Sequence, residues 1–339
     1  MLKFGIVLIL IISVFGFEYQ QPNNTWTEES SLQEVLMSLG DKKPEHYLSP
    51  NPFLAKKGEE IVKYGRTKSP SGKKTKYVSK YYVCTTCHNL EQEDPDLRFS
   101  NPETRLGYVK NKGIPFLQGS TFKGIVNRES WYNDDYVKKY GDEKIEKAHK
   151  DLRESIQLCA IECSQGRSME AWEIEAVLSY YWSLQFNLGD LGLTADDLKK
   201  LNTSTSILKN KTTLLPWLKS FYLQKSPATF FDSPTNKQIG FQGISGGDAN
   251  VGKDIYELSC LHCHKPDGVS HYELDDSKLS FRHLKKMIPK DSHFSLYQII
   301  AYGTYAIPGH KPYMPHYPIE RMSKKQIEDL RAYVELKAQ

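Results

Sequence analysis

The pattern Cys-x-x-Cys-His occurs twice in this sequence, at residues 84–88 and at residues 260–264. It is typical of covalent haem c attachment, because the two thiols add across the haem vinyl groups and the following histidine binds the iron. We therefore predict two covalent haem c groups. The attachment and proximal iron-binding residues are Cys84, Cys87 and His88 for the first haem, and Cys260, Cys263 and His264 for the second.

Two other chemistries use paired cysteines. A structural zinc site needs four ligands, so the two segments would have to converge on one metal ion. A thioredoxin-like dithiol gives no reason for a histidine directly after both pairs. Haem attachment explains both histidines, and we prefer it.

Met314 stands between two prolines and shortly before a predicted closing helix that begins at Ser323. A Met-Pro step ahead of a capped helix resembles the segment with which class I cytochromes c present a thioether to the iron. We predict Met314 as the distal ligand of the second haem. His310 and His316 are the alternatives.

Haem attachment uses four of the six cysteines and leaves Cys159 and Cys163. In an oxidising compartment the default is a disulfide, although on a helix the two Cα atoms would be about 6 Å apart, near the upper limit for a bridge. The alternative is a thiolate on the distal side of the first haem. Cys163 stands 18 residues before Tyr181, much as Met314 stands 19 residues before Tyr333.

Arg128 closes a segment rich in glycine and aromatic residues, at positions 115–128. A guanidinium can hold a haem propionate or an anionic substrate with two parallel hydrogen bonds. We predict Arg128 as a candidate for either role, with ordinary loop packing as the alternative.

The elements that must position these residues form an internal repeat. Residues 52–65 precede the first haem motif and mirror residues 252–259 before the second. The first copy has an additional segment, 66–83, with a Ser-Pro-Ser-Gly turn between residues that alternate like a strand, which predicts a small β-hairpin. Helical patterns cover about 143–159, 170–184 and 293–305, and one more helix is expected at Leu32–Leu39.

The N-terminus predicts the compartment. Lys3 precedes an apolar run, Phe4–Ile12, and small residues follow at Ser13 and Gly16, which is the order of a secretory signal. The run is too short for a comfortable membrane span, so a membrane association is expected only if the signal stays uncleaved. Haem c is attached outside the bacterial cytoplasm, so we predict a periplasmic protein. A net charge of +4 without a basic block does not suggest nucleic-acid binding.

The chain is long enough for two domains and additional segments. The connector is too long for a simple linker, so we expect it to pack across both domains. The predicted plan is a signal peptide at 1–17, an N-terminal extension at 18–44, a first haem domain at 45–188, a connector at 189–247 and a second haem domain at 248–339.

With these motifs the chain resembles diheme cytochromes of the thiosulfate dehydrogenase and tetrathionate reductase family. In that family histidine and cysteine hold the first haem, and histidine and methionine hold the second. The ligand cysteine is followed there by a Ser-x-x-Gly-Lys-like run. Gly166 and Arg167 stand seven and eight residues after Cys159, so this match favours Cys159 as the ligand, whereas the internal repeat favours Cys163.

The resemblance implies a mainly α fold with two class I cytochrome c-like domains. It implies an exported electron-transfer protein that oxidises thiosulfate to tetrathionate, or the reverse, at the first haem and relays electrons through the second. The implied partners are a small cytochrome c or a respiratory complex, and the implied catalytic residue is Cys159. The family's substrate arginines have no clearly matching positions in this chain, so Arg128, Arg167 and Arg153 are candidate catalytic residues that the resemblance does not assign.

The resemblance covers only part of the chain, because the loop at 91–150, the predicted hairpin and the connector exceed the family's minimum. The rival interpretation is a pure electron carrier. In it Cys159 and Cys163 form a structural disulfide, and the first haem takes Met169, His149 or no distal ligand. A diheme peroxidase would need an open iron site with an activating histidine and an acid, and no residue pattern marks one.

Overall fold

The computed structural model of the protein describes residues 25–204, 208–290, 294–304 and 312–339. The predicted signal peptide and His310 lie outside these residues. The fold is mainly helical, with 49% helix and almost no strand, which confirms the predicted fold class. No helix in the described part of the chain is long and apolar enough to cross a bilayer.

The described residues form fourteen α-helices joined by turns and loops. In chain order they are α1 (Leu32–Ser38), α2 (Pro52–Tyr64), α3 (Pro102–Lys112), α4 (Val137–Tyr140), α5 (Asp142–Lys150), α6 (Leu152–Leu158), α7 (Ala171–Ser183), α8 (Ala195–Ser204), α9 (Leu208–Lys219), α10 (Ala249–Ile255), α11 (Leu261–His264), α12 (Lys278–Met287), α13 (Leu296–Tyr302) and α14 (Lys324–Lys337).

The core of the first half is built on the crossing of α2 and α7. Asn51 caps α2 by accepting a hydrogen bond from the Leu54 amide, and Gly65 ends it with a φ of 74°. The helices cross at Gly58, where an added Cβ would lie 1.9 Å from the Ala176 carbonyl oxygen. Only glycine permits this approach, which brings the apolar faces of α2 and α7 together around Ile61.

The second half repeats this crossing with α10 and α14. An added Cβ at Gly252 would lie 2.0 Å from the Asp329 carbonyl oxygen, and the Cβ of Tyr333 lies beside it as the Cβ of Tyr180 lies beside Gly58. Tyr180, rather than Tyr181, is thus the counterpart of Tyr333. Met314 stands 19 residues before Tyr333. The residue that stands 19 positions before Tyr180 is Ile161, which lies midway between Cys159 and Cys163. The repeat therefore does not discriminate between the two cysteines.

Two helices lie where the sequence pattern predicts polar or loop-rich segments. One is α3, which Asn101 caps and Pro102 begins, and the other is α12, capped by Ser277. Although α3 stands between the first haem motif and its cleft-forming loop, its apolar residues Leu106 and Val109 belong to the core of the second half. The two halves therefore exchange chain segments.

The connector packs against both halves. Leu214 and Leu218 of α9 form a separate apolar cluster with Leu32 of α1 and with Phe186 and Leu188 of the first half. Further along, Phe231 and Phe241 belong to the core of the second half. The N-terminal helix and the connector together stabilise the packing of the two halves.

The segment at 66–83 holds a bridged turn. Lys68 and Lys74 form an isolated antiparallel bridge, and Gly72 adopts a φ of 83° at the turn. In the described residues such bridges are isolated and do not extend into strands. The predicted hairpin is thus present in its shortest form, because exposed lysines leave it no apolar face to bury.

Candidate haem sites

The first haem motif lines a deep cleft. Cys84 begins a 3-10 turn, and the amides of Cys87 and His88 donate to the Cys84 carbonyl at 3.2 and 3.1 Å. This turn directs all three side chains into a cleft with a volume of about 200 Å³ and a largely apolar lining. Ile61, Phe122 and Val177 supply part of that lining.

His88 is oriented for metal binding. Its Nδ1 lies 2.6 Å from the Ser120 carbonyl oxygen, and because a carbonyl only accepts, Nδ1 carries the proton. The ring stacks on Phe122 at 4.4 Å, and a Cβ at Gly119 would lie 2.6 Å from it. Burial lowers the pKa of His88, so the lone pair of Nε2 is available to a metal ion.

The second motif orients its histidine in the same way, through a backbone carbonyl. A π-helical turn, Tyr256–Cys260, leads into α11, which carries Cys263 and His264. The Nδ1 of His264 lies 2.6 Å from the Tyr272 carbonyl oxygen. A Cβ at Gly268 would lie 2.4 Å from the Cys263 carbonyl oxygen, so the chain turns tightly after the motif.

Met314 lies in the second half, in a segment fixed by Thr304. Its backbone is tied to Thr304, with the Thr304 amide donating to the Met314 carbonyl at 2.8 Å and the Met314 amide donating to the threonine hydroxyl at 2.7 Å. The Met314 side chain packs against the same core as Cys260. Its iron ligation stays a prediction. His316, the alternative, instead lines the cleft of the first motif.

Cys159 and Cys163 line the first cleft together with Cys84, Cys87 and His88. They begin and end a π-helical turn that follows α6, a local widening common at functional sites. Both are free thiols and are hydrogen-bonded to each other. Met169 also lines the cleft, whereas His149 is not among its lining residues.

The two spare thiols differ in acidity. The hydroxyls of Tyr132 and Tyr140 lie 3.4 and 3.5 Å from the Cys163 sulfur. The hydrogen bond from Cys159, and then those from the two tyrosines, lower the pKa of Cys163 to about 6, while the same pairing and burial raise the pKa of Cys159. Cys163 is therefore the more acidic thiol of the pair.

The predicted arginines are not among the residues that line the cleft. Arg128 lies directly behind the lining, because it donates to the hydroxyl of Ser226, a lining residue, at 3.0 Å. Arg167 holds Glu173 with two hydrogen bonds of 2.7 Å and also donates to backbone carbonyls. Arg153 forms an ion pair with Glu175. These guanidinium groups secure the fold around the cleft.

Several cleft residues are not among the site residues predicted from the sequence. They are Tyr132, Tyr136, Lys139, Tyr140 and Arg321. The three tyrosines recur every four residues, a helical spacing that could have pointed to one shared face. Arg321 comes from the second half of the chain, and no local pattern marks it. His316, predicted as an alternative ligand of the second haem, also comes from the second half but lies in the first cleft.

A buried ion network connects the two halves behind the cleft. Glu93 is 1% exposed and accepts from Arg321 at 2.7 Å, while Arg105 lies 3.8 Å away. Arg105 and Arg321 share the Leu117 carbonyl as an acceptor. The two guanidinium groups hold the pKa of Glu93 below its usual range despite burial.

The two haem motifs lie against each other. The Tyr82 hydroxyl donates to the Tyr313 carbonyl, which joins the residues just before Cys84 and Met314. The Phe116 amide donates to the Leu258 carbonyl at 3.0 Å. Burial and then the nearby Cys263 thiol raise the pKa of Cys87, so thiols of the two motifs lie close enough to interact.

These surroundings fit haem c. At each motif two thiols and a histidine with a fixed, proton-free Nε2 stand at the edge of an apolar core, as covalent attachment and axial ligation require. In the described residues no group of three or more His, Cys, Asp and Glu side chains is arranged to hold a metal ion by itself.

The sequence profile of the cytochrome c family matches residues 249–336. No curated protein and no solved structure matches the chain. Residues 249–336 are therefore a cytochrome c domain, and such a domain implies a covalent haem c and a role in electron transfer.

Proposed function

We propose that the protein is a diheme cytochrome c that transfers electrons between its two haems. The observation that carries this proposal is the packing of the segments around the two motifs against each other, through the hydrogen bonds from Tyr82 to the Tyr313 carbonyl and from the Phe116 amide to the Leu258 carbonyl. A haem c group supplies a one-electron carrier whose potential depends on its axial ligands and surroundings. His88 and His264 would hold the two irons on the proximal side, and Met314 would hold the second on the distal side.

The number of haems tests the proposal. Pyridine haemochrome quantitation of the mature protein should give two covalent haems per chain. Replacing both Cys84 and Cys87 by Ala should leave one covalent haem, attached to the cytochrome c domain at residues 249–336. One haem in fully matured wild-type protein would contradict the proposal and leave residues 249–336 as the single haem domain.

We further propose oxidation of thiosulfate at the first site, a function favoured by the two spare thiols in that cleft. Two thiosulfate anions join through a new S–S bond to give tetrathionate and release two electrons, which a redox partner protein accepts. The chain's part is to bind the sulfur anions in a dry, apolar cleft and to hold a thiolate there. The competing function is a pure electron carrier.

Electron paramagnetic resonance separates the two functions, because thiolate-ligated low-spin haem has a compressed g-spread. We expect that signal in the oxidised wild type and in Cys159→Ala, and its loss together with ferricyanide-coupled thiosulfate oxidation in Cys163→Ala. Loss in Cys159→Ala alone would exchange the two roles. A wild type without the signal, with both cysteines bridged by mass spectrometry, would establish the electron carrier.

Export to the periplasm is proposed on the N-terminal pattern at residues 3–16. The partner is proposed to be a small cytochrome c or a respiratory complex. N-terminal sequencing of the mature protein should begin after the small residues near Gly16.

A further inference from the structure

His316 places an unpartnered hydrogen-bond donor in the first cleft. The residue is 8% exposed, and its Nε2 is buried without a partner. Its Nδ1 lies 2.9 Å from the Lys139 ammonium. An ammonium only donates, so Nδ1 accepts, and in the neutral ring the proton is on Nε2. The donor Nε2–H has no acceptor among the described residues.

Lys139 has no carboxylate partner in the described part of the chain; its hydrogen bond goes to His316, and the acidic group beside it is the Cys163 thiol. The ammonium lies 5.5 Å from the ring centre of Tyr140 and 5.7 Å from that of Tyr313. Burial lowers its pKa. A half-buried ammonium over aromatic rings, beside an unpaired N–H, is costly without an acceptor.

The donors converge on one region of an otherwise apolar cleft. Lys139, Tyr140, Tyr132 and His316 all line it, together with Cys163. The two tyrosine hydroxyls are directed at the Cys163 sulfur. A ligand that satisfies Lys139 and His316 must carry lone pairs on at least two atoms and a negative charge, and must be small enough for the space beside the thiols.

We propose that Lys139 and His316 form a binding site for a small inorganic oxyanion next to Cys163. Assigning thiosulfate as that anion rests on the second function proposed above, whereas binding of an oxyanion does not. Because α4 supplies Lys139 and the segment after Met314 supplies His316, the site is complete only when both halves of the chain are packed together.

Sulfate is a suitable probe, because it is an oxyanion that the protein cannot oxidise. Oxidised holoprotein should be titrated with sulfate by calorimetry at constant ionic strength, and its resonance spectrum followed in parallel. We expect one site per chain and a changed spectrum of the first haem. Lys139→Met and His316→Phe should each weaken binding about tenfold to a hundredfold, and Lys139→Arg should retain it.

Lys138→Met is the matched control, because Lys138 is the exposed neighbour of Lys139 on the same short helix; it should bind like the wild type. Wild-type affinity in both Lys139→Met and His316→Phe, each with full haem content, would overturn the proposal. If Lys139→Met does not mature, His316→Phe decides alone. Sulfate binding without thiosulfate oxidation in the wild type would keep the site and reject the substrate; oxidation without sulfate binding would reject the site.

Discussion

At the scale of single residues, the surroundings in the cleft distinguish Cys159 from Cys163, which the sequence alone leaves nearly equivalent as candidate iron ligands. Cys163 receives hydrogen bonds from Cys159 and from tyrosine hydroxyls, and its pKa falls to about 6, whereas the pKa of Cys159 rises. A thiolate is the form of cysteine that binds iron. The tertiary surroundings therefore favour Cys163 as the distal ligand, whereas the family-like run at Gly166 and Arg167 favours Cys159.

Asp94 gives a residue-scale prediction of pH dependence. Burial raises its pKa from its usual value to about 6, and its Oδ1 is buried without a partner. Because the folded state binds the proton more tightly than the unfolded state, stability should fall as the pH rises from about 4 to about 6 and stay reduced above that. Asp94→Asn should therefore stabilise the protein at pH 7 by up to about 3 kcal/mol and change little at pH 4.

Thermal unfolding of wild type and variant at the two pH values measures this effect. Asp96→Asn is the control, because Asp96 is paired with Arg98 and its pKa is lowered rather than raised. Equal midpoints for wild type and Asp94→Asn at pH 7 would contradict the prediction.

At the scale of elements, the two halves of the chain share one helix crossing that depends on glycine. The close approach at Gly58 and at Gly252 leaves no space for a Cβ, and the closing helices α7 and α14 pack there against α2 and α10. The crossing fixes α2 and α10, the helices that precede the two haem motifs, against the closing helices. It is the structural basis of the repeat that the sequence shows.

Gly58→Ala should destabilise the first domain, because the new Cβ would meet a backbone carbonyl of α7 at 1.9 Å, and overpacking of this kind typically costs about 1–3 kcal/mol. Gly107→Ala in α3 is the matched control. Nothing lies within 4 Å of a Cβ there, so the same change should stabilise by about 0.5–1 kcal/mol. Urea unfolding of both variants measures the difference, and equal effects of the same sign would refute the crossing as the cause.

At the scale of the whole molecule, the halves are held together by polar contacts as well as by exchanged segments. Glu93 belongs to the first half and Arg321 to the second, and both are almost fully buried. Arg321 also donates to the carbonyls of Leu117 and Gly119, next to the histidine of the first motif. The network thus couples the packing of the halves to the shape of the first cleft.

Glu93→Gln should strongly destabilise the protein, because it leaves Arg105 and Arg321 buried without a carboxylate. Breaking one side of such a buried network typically costs about 3–5 kcal/mol. Chemical unfolding of the holoprotein should show the loss, and Glu91→Gln, at an exposed neighbouring position, should not. A loss below about 1 kcal/mol would mean that the network behaves like a surface ion pair.

The sequence by itself determined what is local along the chain. The attachment cysteines and proximal histidines lie within five residues of each other, and the helix caps at Asn51 and Ser323 act on amides two or three residues away. Such patterns can be recognised in the sequence because neighbouring residues set both the chemistry and the geometry. The mainly helical fold and the closing helix follow from them.

Only the tertiary structure decided what faces the haem sites from a distance. His316 was an alternative ligand for the second haem but lines the first cleft, and α3 packs in the core of the other half. The predicted arginines are held by carboxylates, a hydroxyl and backbone carbonyls that no spacing reveals. The reason is physical: buried charges must find partners wherever the fold places them, and those partners lie far apart in sequence.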